Sequence, residues 1–421
     1  MKVFTLTNGV RVAMENLPHL RSVSIGMWVG AGCFHENEIN SGISHFIEHM
    51  LFKGTTTRTS IEIANCIDSL GGQLNAFTSK ECTCYYVNIL NEYYGVAIDL
   101  LCDMLINSKL DEQDIKKEKG VVIEEISMVE DTPDDLAHEN LVKAYYGNHP
   151  LGKTILGTKE TVSNITSAHM RTYMCETYTH QNIVVSVAGS FNEEAVLNML
   201  EEKLQGLCQN ENKPAKAPEL DVPEGDIIFI NKDIEQVNLC LGLPGVKQTS
   251  DDYFAQSIIA NVFGGGMSSR LFQRVREQNG MTYSIYSYLA TSVNSGMLTV
   301  YAGMNPEQAN TVLDLIIDEA DKMLKYGLTE KEFTEGKAQL KGNFVLGLES
   351  GQAHMHRNGK VLLLNDVVLT MDQVISNINA ITMDDILKNV STMFDLKKIS
   401  ASAVGKVQAG DKLFNRIKAL K

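Results

Sequence analysis

The chain has 421 residues, 44% of them hydrophobic and 21% charged, an ordinary globular balance with room for two domains of roughly 200 residues. Its formal net charge of -15 and its pI near 5.2 argue against nucleic acid and anionic membrane surfaces as partners, because phosphate-rich partners need a basic face. No apolar run approaches the ~18 residues that cross a bilayer, and the eight cysteines are scattered, so reduced thiols in a cytoplasmic protein are expected.

The opening MKVFTLTNGVRV alternates as a strand does and offers no apolar stretch of the kind a secretory signal needs. VSIGMWVGAG from Val23 is also strand-like, and it leads to a helix predicted from about Ser41 to Lys53. There His45 and His49 are four apart and stack on one face, with Glu48 on the same side. Ile43, Phe46, Ile47, Met50 and Leu51 cover the remaining surface and make it a core helix. Two imidazoles at that spacing can ligate one zinc ion and leave the carboxylate beside the open position where an attacking water sits. The order H-x-x-E-H is the inverzincin pattern. A metal-free core cluster is the alternative, at the cost of burying three polar groups without compensation.

LNAFTSKECTCYYV reads as an ordinary strand carrying Cys82 and Cys84. LNEYYGVAIDLLCDML from Leu90 reads as a helix, and DEQDIKKEKGVVIEEISMVED follows as another, with candidates for the third protein ligand of zinc. At ~100° per residue, Ile115, Val122, Ile126 and Val129 form an apolar stripe with Val121 at its edge. Glu118 and Glu125, seven apart, fall inside that arc, whereas Glu124 points away. Two carboxylates on the buried side of a helix need a reason. Glu125 as ligand with Glu118 supporting a ligand is one; a helix rotated so that both are solvated is the other. IVVSVAG, ending at Gly189, closes this half as a strand.

Residues 206–225 (GLCQNENKPAKAPELDVPEG) are polar and hold three of the eight prolines, the composition of a linker. They separate a domain at 1–205 from one at 226–421. The second half repeats the first. VNLCLGLPG and DDYFAQSIIANVF answer VSIGMWVGAG and the His45 helix, MNPEQANTVLDLIIDEADKML and LTEKEFTEGKAQLKGNF answer the next two helices, and ISASAVG answers IVVSVAG, at offsets of 214 to 218 residues. The expected fold class is therefore α+β: two homologous domains from an internal duplication, each a mostly antiparallel sheet packed with helices. The segment facing His45 to His49 lies within SIIANVF and the position facing Glu125 is Asn343, so the candidate chemistry was built into one copy only. GGGMSSRLFQRVREQNG reads as a glycine turn into an amphipathic helix, with no G-K-[ST] to make a phosphate loop. His19, His35, His138, His169, His180, His354 and His356 lack ligand spacing and read as surface or core histidines.

GISHFIEHMLFKGT from Gly42, Glu118 and Glu125 followed by Asp131-x-Pro133, and HPLGKTILG from His149 together resemble the pitrilysin or insulinase metallopeptidases. Within that family they are most similar to the short branch that includes the β subunit of the mitochondrial processing peptidase and bacterial relatives. The resemblance covers nearly the whole chain. It implies an endopeptidase with one zinc per chain, held by His45, His49 and Glu125, with Glu48 as general base and Glu118 as supporting carboxylate. It also implies that Asn75 and Ala76 lie on an edge strand to which a substrate peptide adds through backbone bonds, and that Arg276 and Tyr283 steady the developing oxyanion. Family chains this short pair up, so a homodimer enclosing a chamber is expected, with Arg276 and Tyr283 far from His45 within one chain. A heterodimer with an inactive partner, a non-catalytic scaffold subunit and a metallohydrolase of non-peptide substrates are the rival readings.

Overall fold

The computed structural model describes residues 1–208, 220 and 225–421. The expected linker at 206–225 lies largely outside the described residues.

The first sheet has six strands, β1 (Lys2–Thr5), β2 (Arg11–Asn16), β3 (Ser22–Val29), β4 (Gln73–Thr78), β5 (Thr83–Leu90) and β6 (Ile183–Gly189), in the order β1-β2-β6-β3-β5-β4. The second has five, β7 (Ile227–Asn231), β8 (Val237–Gly245), β9 (Thr282–Thr291), β10 (Gly296–Met304) and β11 (Ser400–Gly405), in the order β7-β11-β8-β10-β9. Without β1 the two orders coincide strand for strand. In each, one parallel pair (β2 with β6, β7 with β11) accompanies antiparallel neighbours. The duplicated α+β design is thus present in the backbone.

The correspondence extends to single residues. Gly189 and Gly405 end β6 and β11 with φ +133° and +146°, a region L side chains rarely adopt. A Cβ on Gly189 would lie 2.4 Å from the Ser22 carbonyl oxygen, and one on Gly405 would lie 2.5 Å from that of Gln236, the residue before β8. Each glycine carbonyl then accepts from the chain beyond the neighbouring strand, from Leu17 N–H at 2.7 Å and Lys232 N–H at 2.9 Å.

Two compact units result. One comprises Met1–Ile126, the described part of the stretch that starts at Lys153, and Leu346–Thr370; the other comprises Ser127–Gly152, the described part of the stretch that ends at Val345, and Met371–Lys421. Both cross the linker in sequence, because each sheet takes a helix from the other half of the chain. The Gly351–Asn365 helix packs on β3, β6 and β2, and the Pro133–Tyr146 helix on β11, β8 and β7. Packing on both faces buries β3 from Val23 to Val29 and the whole of β6, instead of every second residue. On one face Val23, Ile25, Met27 and Val29 join Phe46, Ile47 and Met50 in the main core, and on the other Trp28 packs with Cys84, Met355 and Leu362.

LNAFTSKECTCYYV, read above as one strand, is a hairpin formed by β4 and β5. Ser79 turns the chain: its hydroxyl donates to the Cys82 carbonyl and accepts from the Cys82 N–H. β4 is left at the edge of the sheet. Among the described residues, no helix is long and apolar enough to cross a membrane.

Candidate metal centre

The helix predicted from about Ser41 to Lys53 spans Ile43–Leu51, and it buries Ile43, Phe46, Ile47, Met50 and Leu51. With that face committed to the core, His45 and His49 emerge one turn apart, and their side chains stay 12% and 17% exposed. A longer helix, Glu112–Asp131, runs past them and buries Ile115, Glu118, Val122 and Ile126. Glu124 is exposed and Glu125 half-buried, whereas Val121, placed at the stripe's edge by its phase, is 46% exposed.

His45 Nε2 and His49 Nε2 lie 3.2 Å apart, and Glu125 Oε2 lies 3.6 Å from the first and 3.5 Å from the second. A tetrahedral zinc with bonds of ~2.0–2.2 Å has ligand-to-ligand edges of roughly 3.3–3.6 Å. The three atoms therefore form one face of such a tetrahedron, and the donor set, two imidazoles and a carboxylate, suits zinc with a fourth position open. Burial and then the neighbouring His49 hold the His45 imidazole down at about 4, so at neutral pH the ring is uncharged and keeps one nitrogen lone pair for a metal.

Glu118 stands behind this face. Its Oε1 is 2.9 Å from His49 Nδ1 and its Oε2 is 2.6 Å from Lys53 Nζ. The hydrogen bond at Nδ1 leaves Nε2 as the nitrogen of His49 that could hold a metal. His45 Nδ1 is buried without a hydrogen-bond partner among the described residues.

Glu48, between the two histidines in sequence, accepts a 2.5 Å hydrogen bond at Oε2 from the Thr78 hydroxyl. Burial pushes its carboxyl above the ordinary carboxylate range, against the bond from Thr78 and the charge of His49, while Glu125 adds to the rise. Thr78 is the last residue of β4, so a residue of the edge strand touches the candidate base.

The ladder between β4 and β5 shows what that edge offers. Ser79 N–H donates to Cys82 O at the turn, so alternate pairs inward, Phe77 with Cys84 and Asn75 with Tyr86, direct their backbone groups at β5. Leu74, Ala76 and Thr78 turn theirs to the open side. Of the two residues named for substrate bonding, Asn75 thus directs its backbone at β5 and Ala76 turns its own to the open side, where its N–H donates to Asn75 Oδ1 at 2.8 Å.

Arg276 and Tyr283 belong to the second unit. Arg276 Nη1 donates to the Tyr283 carbonyl at 2.9 Å, and its guanidinium stacks 4.8 Å from the Tyr283 ring and 4.7 Å from that of Phe272. Tyr283 is 78% exposed. The glycine turn is followed by a helical turn at Phe272–Glu277, wound wider than an α-helix.

The second copy fills the corresponding place with hydrocarbon. Ile259 and Phe263 on the Tyr253–Gly264 helix are fully buried, and Gly336, where the repeat aligns Glu118, packs on Ile258 and Val262. Sequence reasoning missed Thr78 and Lys53. Only Thr78 left a signal: it shares the period-2 face of β4 with Leu74 and Ala76.

The sequence matches the insulinase family, peptidase family M16, over residues 11–159 and the M16 inactive domain over residues 164–340. The chain belongs to this family. Among its relatives, the uncharacterized zinc protease YmxG of Bacillus subtilis is 44% identical over 386 residues, which cover 91% of this chain and 93% of that protein. An uncharacterized zinc protease of Rickettsia felis is 35% identical over 403 residues, 95% of this chain and 96% of that one. The fold recurs in a Pseudomonas fluorescens crystal structure described as a peptidase M16 inactive domain, with a TM-score of 0.90 at 20% identity, covering 97% of this chain and 99% of that one. A Helicobacter pylori protease has a TM-score of 0.89 at 21% identity, covering 96% and 99%.

Proposed function

We propose that this protein is a zinc-dependent endopeptidase acting on extended peptides or short unfolded polypeptides. The observation that carries the reading is the convergence of His45 Nε2, His49 Nε2 and Glu125 Oε2 on one tetrahedral face, with Glu48 on the same helix and tied to the edge strand through Thr78.

His45, His49 and Glu125 hold the metal, one ion per chain. Bound zinc supplies Lewis-acid polarisation of the scissile carbonyl and acidifies the attacking water. Glu48, held by Thr78, accepts the water's proton and delivers it to the departing amine nitrogen as the carbon–nitrogen bond breaks. A carboxyl whose burial raises its proton affinity is suited to both halves of that transfer. The substrate backbone lies along β4 as an added strand, exchanging hydrogen bonds with the outward N–H and C=O of Ala76, and the Asn75 amide yields the Ala76 N–H to it. Strand addition selects for extended chain over compact domains. Arg276 and Tyr283 complete the oxyanion site from the second half of a partner chain in a homodimer.

The test is cleavage of an unstructured peptide before and after dialysis against a chelator. Activity lost on metal removal and restored by stoichiometric zinc supports the reading. Undiminished cleavage by metal-free protein excludes it. Sedimentation across a dilution series tests the dimer, and full activity in a strictly monomeric preparation excludes it.

A further inference from the structure

The two histidine ligands are supported differently. His49 has Glu118 on its Nδ1, whereas His45 has no hydrogen bond at Nδ1 among the described residues, so no carboxylate behind its ring orients it and its place depends on the backbone it grows from. That backbone is the third residue of a nine-residue helix. Helices so short are marginal on their own, and their ends are set by tertiary contacts.

The start of this helix is built from outside. Its N-cap is Gly42, with no side chain to cap it and φ +89°. The free N–H groups of Gly42 and Ser44 donate instead to Glu36 Oε2 at 2.7 Å and Oε1 at 2.9 Å. Glu36 is only 5% exposed. Its own backbone carbonyl accepts from Lys153 Nζ, and the Lys153 carbonyl accepts from Lys80 Nζ. Beyond Lys153, Gly157 lies against Gly42. A Cβ on Gly42 would come within 2.5 Å of the Leu156 carbonyl oxygen, and one on Gly157 within 2.3 Å of that of Ser41, which also accepts from the Thr161 hydroxyl at 2.7 Å. Ser44 is pinned sideways by the Tyr173 hydroxyl at 2.8 Å. Lys153 to Gly157 is the second part of the HPLGKTILG segment, for which the reaction itself has no use.

We infer that Glu36 is a positioning residue for the metal centre: its carboxylate, braced by the Lys153–Gly157 loop, fixes the first turn of the Ile43–Leu51 helix and through it the place of His45 opposite His49 and Glu125. This rests on the reading of that cluster as a zinc site. Glu118 orients one histidine through its ring, and Glu36 orients the other through its backbone. The loop and the acid act as one device, because losing either lets the helix start move.

The test uses the full-length chain with Glu36→Gln, which keeps one acceptor oxygen, alongside Glu36→Ala. Zinc affinity is measured by chelator competition, and the visible absorption of the cobalt-substituted protein reports the ligand geometry. Both variants are expected to bind zinc about tenfold or more weakly, with an altered cobalt spectrum. In a His45→Ala background Glu36→Gln should add no further loss, whereas in a Glu118→Gln background the losses should add. Lowered thermal stability with wild-type affinity and spectrum would leave Glu36 a purely structural cap and overturn the inference. If Glu36→Ala does not fold, Glu36→Gln decides. Failure of the zinc reading looks different: His45→Ala would then bind zinc as tightly as the wild type.

Discussion

His49 and Glu118 lie 69 positions apart in sequence and 2.9 Å apart in space, Nδ1 to Oε1. The same carboxylate reaches Lys53, one turn beyond His49, at 2.6 Å. One buried acid thus fixes the ring and the tautomer of His49 and ties the end of its helix to the helix that carries Glu125. Replacing Glu118 by Gln should weaken zinc binding roughly 10–100-fold while leaving the protein folded, as measured by competition with a chelator. Unchanged affinity would assign Glu118 to the ion pair with Lys53 alone.

Thr78 donates to Glu48 at 2.5 Å. Thr78→Val keeps the shape and removes the donor. A hydrogen bond to a charged group is worth about 1.5–3 kcal/mol, so kcat should fall about tenfold or more, with zinc content and KM nearly unchanged. A wild-type kcat would show that Glu48 needs no support from the edge strand.

Ala76 turns its N–H away from the ladder, so Ala76→Pro removes a donor the sheet does not use, at an edge where proline is tolerated. The expected result is a kcat/KM for an unstructured peptide lowered by about tenfold, the scale of one lost hydrogen bond, with zinc content unaffected. Equal turnover by the variant would mean that peptide does not add along β4.

How much of this was legible in sequence follows from the range of the interactions. The helix carrying His45, Glu48 and His49 is readable because its chemistry lies within two turns, and helical phase places Glu118 and Glu125 inward and Glu124 outward. The duplication is readable because strand patterns recur at a near-constant offset. The exchange of the Pro133–Tyr146 and Gly351–Asn365 helices between sheets is not, since local periodicity says that a helix has an apolar face but not which sheet covers it. The β4–β5 turn escaped because Ser79 makes it without glycine or proline. The aromatic surroundings of His356, with Trp28 at 5.7 Å and Tyr86 at 4.7 Å between ring centres, are likewise assembled from distant segments.

Glu15 on β2 anchors the exchanged helix, accepting from Asn358 at 2.6 Å and lying 3.0 Å from His354 Nδ1. The hydrogen bond with His354 outweighs the desolvation of its half-buried site and holds the Glu15 carboxyl down at about 2. A carboxylate whose pKa is depressed on folding stabilises the protein above its unfolded pKa, and that contribution disappears as pH falls through the folded value. Unfolding free energies from urea titrations of Glu15→Gln should therefore lie below wild type at pH 7, by on the order of 2–3 kcal/mol. The gap should close between about pH 5 and pH 2. A gap independent of pH would contradict this.

Zinc held by His45, His49 and Glu125, with Glu48 carrying the proton, is tested by a paired measurement of metal content and peptide cleavage on wild type and Glu48→Gln. One zinc per chain is expected in both proteins, with cleavage in the wild type only. Cleavage by Glu48→Gln at the wild-type rate with its zinc in place would contradict it.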